Sequence, residues 1–257
     1  MIAPENQFRA MCVLVGWLVF FCCALTLTQF TAEIPFPYNN LDEQAHYSYT
    51  LDLLNQHHWW PDMMHFPMYD AATGTRTGSV NYLNHPPMFY WLMAGVHRVF
   101  PDANPVYFRL VPLAFYTIAM GIYARVGYLL KLPRLATVLY VLFPFLLYVP
   151  FQAGYYNNDS IAVLGGALTC LGSLRWLRGK SPRRATFLIL LGLTLAAMKL
   201  TAFILVGCYC LFVVLLQRDM LRSIPVWLIV GSVTWSLILT LPYLYFWTTY
   251  GNPVPQN

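Results

Sequence analysis

The sequence has little charge. Only 10% of its residues are charged and 58% are hydrophobic, whereas an ordinary soluble domain has roughly 25% charged residues. This deficit excludes a soluble globular protein. Together with long apolar runs along the whole chain, it predicts an all-α polytopic membrane protein, because a helix satisfies its own backbone polar groups inside a bilayer. The net charge of +5 is too small to indicate nucleic acid as a partner.

The polar loops also lack cysteine. All six cysteines lie inside apolar runs, which excludes a disulfide framework and a thiolate zinc site. The six histidines fall between residues 46 and 97 without an HExxH or comparable zinc-binding spacing. The first apolar run, 11–30, exceeds the signal-peptide core of about 7–15 residues and ends without a cleavage motif. We therefore predict a retained anchor with its N-terminus inside.

Apolar runs of the length that a bilayer requires, about 20 residues, recur along the chain. Clear candidates for membrane spans are residues 11–30, 107–130, 134–151, 160–177 and 223–247.

Two further segments decide the topology. Residues 86–100 would reach only about 22 Å as a helix, short of a hydrocarbon core of about 30 Å. They open with two prolines and are rich in aromatic residues, so we predict a helix at the membrane interface. Residues 185–216 are long for one span and carry Lys199 near the middle, where a lysine costs about 3 kcal/mol. Two short spans, 185–198 and 201–216, place Lys199 at a turn instead.

These choices give seven transmembrane helices, with the N-terminus inside and the C-terminus outside. The basic residues then follow the known bias of lysine and arginine toward the cytoplasmic side. Those at inner loops and helix ends are Arg9, Arg125, Lys131, Arg134, Arg175, Arg178, Lys180, Arg183, Arg184, Arg218 and Arg222. The opposite choices would send the basic cluster at 178–184 outside.

This topology gathers the polar motifs on the outer face of the membrane. We interpret residues 1–257 as one transmembrane module whose outer loop, 31–106, carries juxtamembrane helices. Within that loop, residues 70–82 are rich in turn-forming residues and predict a flexible loop, which is either a simple connection or a mobile lid. The motifs that converge on the outer face are Asp42-Glu43, His46, His85-Pro86-Pro87, Asn158-Asp159 and Lys199.

Each motif has a structural interpretation and a functional one. Asp42 and Glu43 precede a helical pattern, so they are either helix caps or a catalytic general base and cation ligand. Asn158 and Asp159 also precede a span. They are either caps or groups that bind a sugar hydroxyl or a metal.

Two cations allow the same pair of interpretations. Lys199 either extends toward the membrane surface or neutralises an anion such as a phosphate. Arg109 either anchors a helix end or contacts the same phosphate. His85 differs from the other histidines, because the prolines that follow it fix its position beside the polar face.

The order of these motifs resembles that of the GT-C glycosyltransferases that use polyprenyl-phosphate sugars, such as aminoarabinose transferases and protein O-mannosyltransferases. The resemblance extends over essentially the whole chain. Its motifs are Asp42-Glu43 with His46-Tyr47, Asn84-His85-Pro86-Pro87-Met88-Phe89-Tyr90, Arg109-Leu110-Val111-Pro112, Asn158-Asp159-Ser160, Met198-Lys199-Leu200-Thr201 and Tyr250-Gly251-Asn252-Pro253-Val254-Pro255.

The resemblance implies a seven-span module in an inner membrane with a periplasmic active site. It implies that Asp42, with Glu43 beside it, activates the acceptor. Lys199 and Arg109 would lie near the donor phosphate, which an undecaprenyl-type carrier would supply. The sugar or phosphate pocket would be lined by His46, His85, Asn158 and Asp159. The expected partners are a polyprenyl-phosphate-linked sugar, a glycan, lipid or protein acceptor, membrane lipid and a partner subunit.

A monophosphate donor requires no cofactor, whereas relatives with pyrophosphate donors bind a divalent ion. Mg²⁺ or Mn²⁺ at Asp42 and Asp159 therefore stays open. A second function class also stays open. The chain ends soon after its seventh predicted span, where the family usually continues, so it could instead be a non-catalytic accessory, binding or flippase-like subunit. Its charges lie at one surface rather than at mid-membrane, which favours the enzyme.

Overall fold

The computed structural model is built mainly of helices. It describes residues 4–33, 36, 42–55, 60, 62–70, 73–146, 152–179 and 181–253. The helices are α1 (Pro4–Glu33), α2 (Glu43–Asn55), α3 (Met88–Val99), α4 (Leu110–Leu130), α5 (Arg134–Leu146), α6 (Asp159–Leu177), α7 (Pro182–Ala196), α8 (Leu200–Leu216) and α9 (Val226–Tyr250). Short 3-10 helices precede α4 at Pro105–Arg109 and α9 at Arg218–Ser223.

Helices α6 and α7 pack most closely. A Cβ atom added to Gly165 would lie 2.6 Å from the carbonyl oxygen of Gly192, and one added to Gly192 would lie 2.6 Å from the carbonyl oxygen of Gly165. The two backbones therefore touch directly, as small residues allow in membrane helix pairs. Helix α4 packs on α6, and α1 packs on both α4 and α5. This bundle supports the polar segments at one end.

Three of the described helices are long and apolar enough to cross a membrane: Pro105–Leu130, Asp159–Leu177 and Val226–Tyr250. Two shorter apolar helices lie at Arg134–Phe143 and Leu200–Leu216. The predicted span at 134–151 extends into residues 147–151, which lie outside the described part. The membrane nature of the fold is thus supported, while the total of seven spans stays a prediction.

The segment around Lys199 is divided as predicted. Helix α7 ends at Ala196, and α8 begins at Leu200. Lys199 between them has an extended backbone. Its amide nitrogen donates to the carbonyl of Ala196 at 3.0 Å, which closes the turn. The predicted interfacial segment 86–100 contains a helix of only 12 residues, α3.

Part of the segment 70–82, predicted to be a flexible loop, is a strand; residues 71 and 72 lie outside the described residues. Residues 67–69 (β1) and 76–80 (β2) pair as an antiparallel hairpin, with Tyr69 opposite Arg76 and Pro67 opposite Val80. Gly78 in β2 has a φ of +81°, a conformation that favours glycine. The turn-forming residues thus belong to a hairpin and its second strand. A lid function for this segment stays a prediction.

The first strand of the hairpin is attached to α2 through Tyr69, and Asn81, directly after β2, donates from its side chain to the carbonyl of Ala45 in α2 at 2.8 Å. The amide nitrogen of Tyr69 donates to the Ser48 hydroxyl at 2.9 Å, and its carbonyl accepts from the Gln44 side chain at 3.3 Å. The phenol of Tyr69 donates to the buried Asp52 carboxylate at 3.2 Å. Gln44, Ser48 and Asp52 are four residues apart, so they form one ridge of α2. This ridge determines where the segment after β2 lies.

Candidate active site

The polar motifs meet at the first residues of several helices. Asp42 and Glu43 lie at the start of α2, and Arg109 lies immediately before α4. Asp159 begins α6, and Lys199 directly precedes α8. The backbone N–H groups at a helix start have no intrahelical partners and carry partial positive charge. Such an end of a helical bundle is electrostatically suited to a negatively charged ligand.

Asp42 is exposed and held in the left-handed region, with φ of +58°. Its carbonyl accepts from the amide nitrogen of His46 at 3.0 Å, so Asp42 opens α2 through its backbone. Its carboxylate accepts a hydrogen bond from the phenol of Tyr82. Burial and the Asp42 carboxylate both raise the pKa of Tyr82, which therefore stays protonated as a donor. The geometry leaves the Asp42 side chain accessible while orienting it.

Glu43 lies on the opposite, inner side of the same helix start. Arg109 Nε is 2.8 Å from Glu43 Oε1, and Arg109 Nη2 is 2.6 Å from Glu43 Oε2. Both side chains are 0% exposed. The amide nitrogen of Tyr156 donates to Glu43 Oε1 at 2.9 Å. This is a buried two-point ion pair with further hydrogen bonding.

That placement revises the expected roles of Glu43 in catalysis and Arg109 in phosphate binding. A charge fully enclosed and paired offers no open face to a substrate. The Arg109 guanidinium also lies 5.3 Å from the Phe36 ring centroid and 5.5 Å from that of Tyr155, an arrangement typical of a packed interior cation. The pair joins the starts of α2 and α4.

Lys199 forms an ion pair with Asp159, which joins the starts of α6 and α8. The two side chains are 29% and 35% exposed, so this pair remains open to solvent. The side chain of Asn158 does not cap α6; its amide nitrogen instead donates to the carbonyl of Met198 at 3.0 Å. Its fully buried Oδ1 accepts no hydrogen bond from the described residues.

His85 and His46 lie between these groups. Their rings stack with centroids 6.1 Å apart, and His46 Nδ1 lies 2.8 Å from the hydroxyl of Tyr90. Burial, and then the charge of Lys199, lowers the pKa of His85 to about 4, with Asp159 and Asp42 acting in the opposite direction. Burial also lowers the pKa of His46 well below its usual value, followed by the effects of His85 and Lys199. Both rings are therefore neutral at pH 7.

We define the candidate site as the polar groups around His85, of which Asp42 is exposed and Asp159 and Lys199 are partly exposed. Asp42, Asp159 and Lys199 all act electrostatically on its ring. The structure thus brings together Asp42, His46, His85, Asn158, Asp159 and Lys199 from the sequence prediction. It separates Glu43 and Arg109 into the interior.

Tyr82 is a contact that sequence reasoning missed. It lies at the end of the segment interpreted as a flexible loop, so nothing marked it as a partner of Asp42. The signal that could have found it is its place two residues before the Asn84-His85-Pro86-Pro87 motif.

The two candidate metal ligands have protein partners. Asp42 accepts from Tyr82, and Asp159 pairs with Lys199. Within the described residues, no group of three or more histidine, cysteine or acidic side chains is arranged to hold a metal ion. Mg²⁺ is commonly held by one or two carboxylates together with substrate phosphates and water. A divalent cation here stays a prediction.

Comparison with known protein families identifies the family of the chain. The model of the dolichyl-phosphate-mannose-protein mannosyltransferase family matches residues 84–246, more than half of the chain. The chain therefore belongs to that family, whose members are GT-C-type membrane glycosyltransferases with a lipid-linked sugar donor. No curated protein and no solved structure matches the chain. His85, Asp159 and Lys199 lie inside the matched segment, while Asp42 precedes it.

Proposed function

We propose that this protein is an enzyme that transfers a sugar from a polyprenyl-phosphate carrier to a glycan, lipid or protein acceptor. The observation that carries the proposal is the accessible pair of opposite charges around His85. Asp42 is exposed and Lys199 is partly exposed, and the charges of both act on the His85 ring. A sugar phosphate requires both a proton acceptor and a cation.

In the proposed reaction, Asp42 accepts the proton of an acceptor hydroxyl, whose oxygen then attacks the anomeric carbon. The bond between that carbon and the phosphate oxygen breaks, and the electron pair leaves with the phosphate. Lys199 stabilises the charge that develops on this leaving group. Tyr82 orients Asp42 throughout, because its raised pKa keeps it a hydrogen-bond donor.

Asp159 acts as the resting partner of Lys199 in this proposal. The ion pair is partly exposed, so exchanging one carboxylate for a donor phosphate requires little rearrangement. The starts of α6 and α8 add backbone N–H groups near the same anion. A positive Lys199 and two helix starts therefore favour a phosphate at this position.

The sugar is expected to lie against the neutral polar groups. The His85 and His46 rings can each donate or accept a hydrogen bond without adding charge. Asn158 is fully buried, so in this proposal it acts indirectly: its amide nitrogen holds the carbonyl of Met198 and thereby the turn that carries Lys199.

The apolar chain of the carrier has a matching cavity of about 480 Å³ between α7, α8 and α9. The cavity begins at Phe203, one helical turn beyond Lys199, and reaches Leu221 near the opposite end of the bundle. A chain entering beside Phe203 would leave its phosphate within reach of Lys199. Its lining is almost entirely apolar, as an isoprenoid requires.

The same proposal includes the location and the partners. The family and the apolar helices place the chain in a membrane. We propose an inner membrane, with the candidate site on the periplasmic face of the cell envelope and an undecaprenyl-type carrier. The distribution of basic residues supports that orientation. We propose that the exposed outer loop binds the acceptor and any partner subunit.

An alternative is a non-catalytic subunit that binds or moves lipid-linked sugars. The observation that favours it is the pairing of both functional charges in the resting protein, Asp42 with Tyr82 and Lys199 with Asp159. Such a site could hold a sugar phosphate without turning it over.

The test is transfer by the purified protein from a panel of radiolabelled polyprenyl-phosphate sugars, with donor binding measured in parallel. We expect Asp42→Asn to lower turnover by at least about 100-fold while donor affinity is retained. Lys199→Met should weaken donor binding by about tenfold or more. Asp102→Asn, a change to an exposed acid in a loop, is the matched control. Binding without turnover across a broad acceptor panel would favour the alternative.

A further inference from the structure

A second groove lies between α1 and α4, at the end of the bundle far from the candidate site. Arg109, which pairs with Glu43, directly precedes α4. Arg125 lies 16 residues further along the chain, which is about 24 Å along the helix. The groove encloses about 330 Å³. Its lining follows a stripe from Ala10 to Trp17 on α1 and another from Gly121 to Tyr128 on α4.

The groove exists because three of its lining residues, Ala10, Gly121 and Ala124, are small. Ala10 on α1 and Ala124 on α4 leave space where larger residues would close the helix pair. Trp17 closes one end, since its indole nitrogen donates to the carbonyl of Thr117 at 3.3 Å and its ring lies against Gly121. From Ala10 to Trp17 the groove runs about 10 Å. It is a short apolar slot that ends within the membrane.

The open end of the slot carries positive charge. Arg125 is exposed, and within the described residues it forms no ion pair; its guanidinium lies 5.3 Å from the centroid of the Tyr128 ring. Arg9 adjoins the lining residue Ala10, and its buried Nε has no hydrogen-bond partner among the described residues. Glu5 is engaged by both Arg9 and Arg134. Cations thus outnumber acids at this end.

We propose that this groove binds an anionic diacyl phospholipid of the leaflet opposite the candidate site. One acyl chain lies along the slot toward Trp17, and the headgroup phosphate is held by Arg125. Basic pockets between membrane helices are known to bind anionic headgroups in this way. The proposal does not depend on the proposed transferase function.

One other occupant fits less well. An apolar helix from a second copy would bury Arg125 without an anion, which is costly inside a membrane. A phospholipid supplies an anion for Arg125 and an acyl chain of which one segment fits the slot of about 10 Å.

The test is native mass spectrometry of the full-length protein in a neutral detergent, titrated with phosphatidylglycerol and phosphatidylcholine of identical acyl chains. We expect phosphatidylglycerol to bind about fivefold more tightly, the effect of one basic side chain on an anionic lipid. Arg125→Gln should abolish this preference. Arg98→Gln, which changes an exposed arginine on α3, should retain it.

A second variant tests the slot rather than the charge. Ala124→Phe fills the groove, so it should lower the binding of both lipids while the oligomeric state stays unchanged. Equal affinity for the two lipids in the unmodified protein would overturn the proposal. So would equal losses in Arg125→Gln and Arg98→Gln, unchanged lipid binding in Ala124→Phe, or a co-purified polyprenyl phosphate in the groove.

Discussion

The guanidinium of Arg109 and the carboxylate of Glu43 form a two-point ion pair that is closed to solvent. Asp42, the residue beside Glu43, is by contrast exposed. The start of α2 therefore carries one buried acid and one exposed acid. The inner acid fixes the start of α2 against α4, and the outer acid is left accessible to solvent.

Replacing Arg109 by methionine should destabilise the protein strongly. The change leaves the Glu43 carboxylate buried without its cation, which typically costs about 3–5 kcal/mol. We expect a large loss of thermal stability in detergent. The matched control is Arg134→Met, because Arg134 pairs with Glu5 at the surface and should contribute less than about 1 kcal/mol. Equal losses in the two variants would contradict a structural role for the buried pair.

Acidification should destabilise the site through His85. Burial lowers its pKa to about 4 from the ordinary value of 6.5, so the folded state binds this proton more weakly than the unfolded state. The stability contribution is complete above about pH 6.5 and is lost as the pH falls toward 4.

The measurement is thermal unfolding from pH 7.5 to 4.5. His85→Asn should flatten part of this pH dependence. A curve for His85→Asn that is parallel to that of the unmodified protein would rule out this assignment.

Removing the Tyr82 hydroxyl should affect catalysis more than binding. Tyr82→Phe keeps the ring but loses the hydrogen bond to Asp42, whose carboxylate is then less firmly oriented. We expect kcat to fall by about tenfold, the effect of one hydrogen bond to a charged group. Donor affinity should stay the same, because Lys199 is untouched. A loss confined to donor affinity would place Tyr82 in the donor pocket instead.

The contact between α6 and α7 should tolerate no added methyl group. A Cβ on Gly192 would approach the Gly165 carbonyl oxygen to 2.6 Å and collide with Thr169. Gly192→Ala should therefore destabilise by about 1–3 kcal/mol. Gly231→Ala on α9 is the control, because nothing lies within 4 Å of its added atom. Similar thermal shifts in both variants would argue against the close packing.

Some features were predictable from the sequence because one strong energetic term decides them. The cost of a lysine at mid-membrane predicted the break between α7 and α8, and the structure confirms the turn at Lys199. The pairing of Lys199 with Asp159 was not predictable, since it joins residues 40 positions apart through side-chain geometry.

The distinction between Asp42 and Glu43 was also hidden. Both residues are acids, and only the orientation of α2 about its own axis decides that Glu43 points inward. The hairpin escaped prediction for another reason. Strand β2 reads Arg76-Thr-Gly-Ser-Val80 and is exposed throughout, so it shows no alternation of apolar residues.

The attachment of the hairpin through Tyr69 separates two kinds of sequence change. Its backbone and phenol are held by a ridge of α2 with four-residue spacing, so inserting one residue in α2 would rotate that ridge away and displace the segment leading to Tyr82. The turn between β1 and β2 lies beyond this anchor, and its length can change without moving Asp42 or His85. The sequence at the tip of the hairpin can therefore vary while the side chains around His85 keep their arrangement.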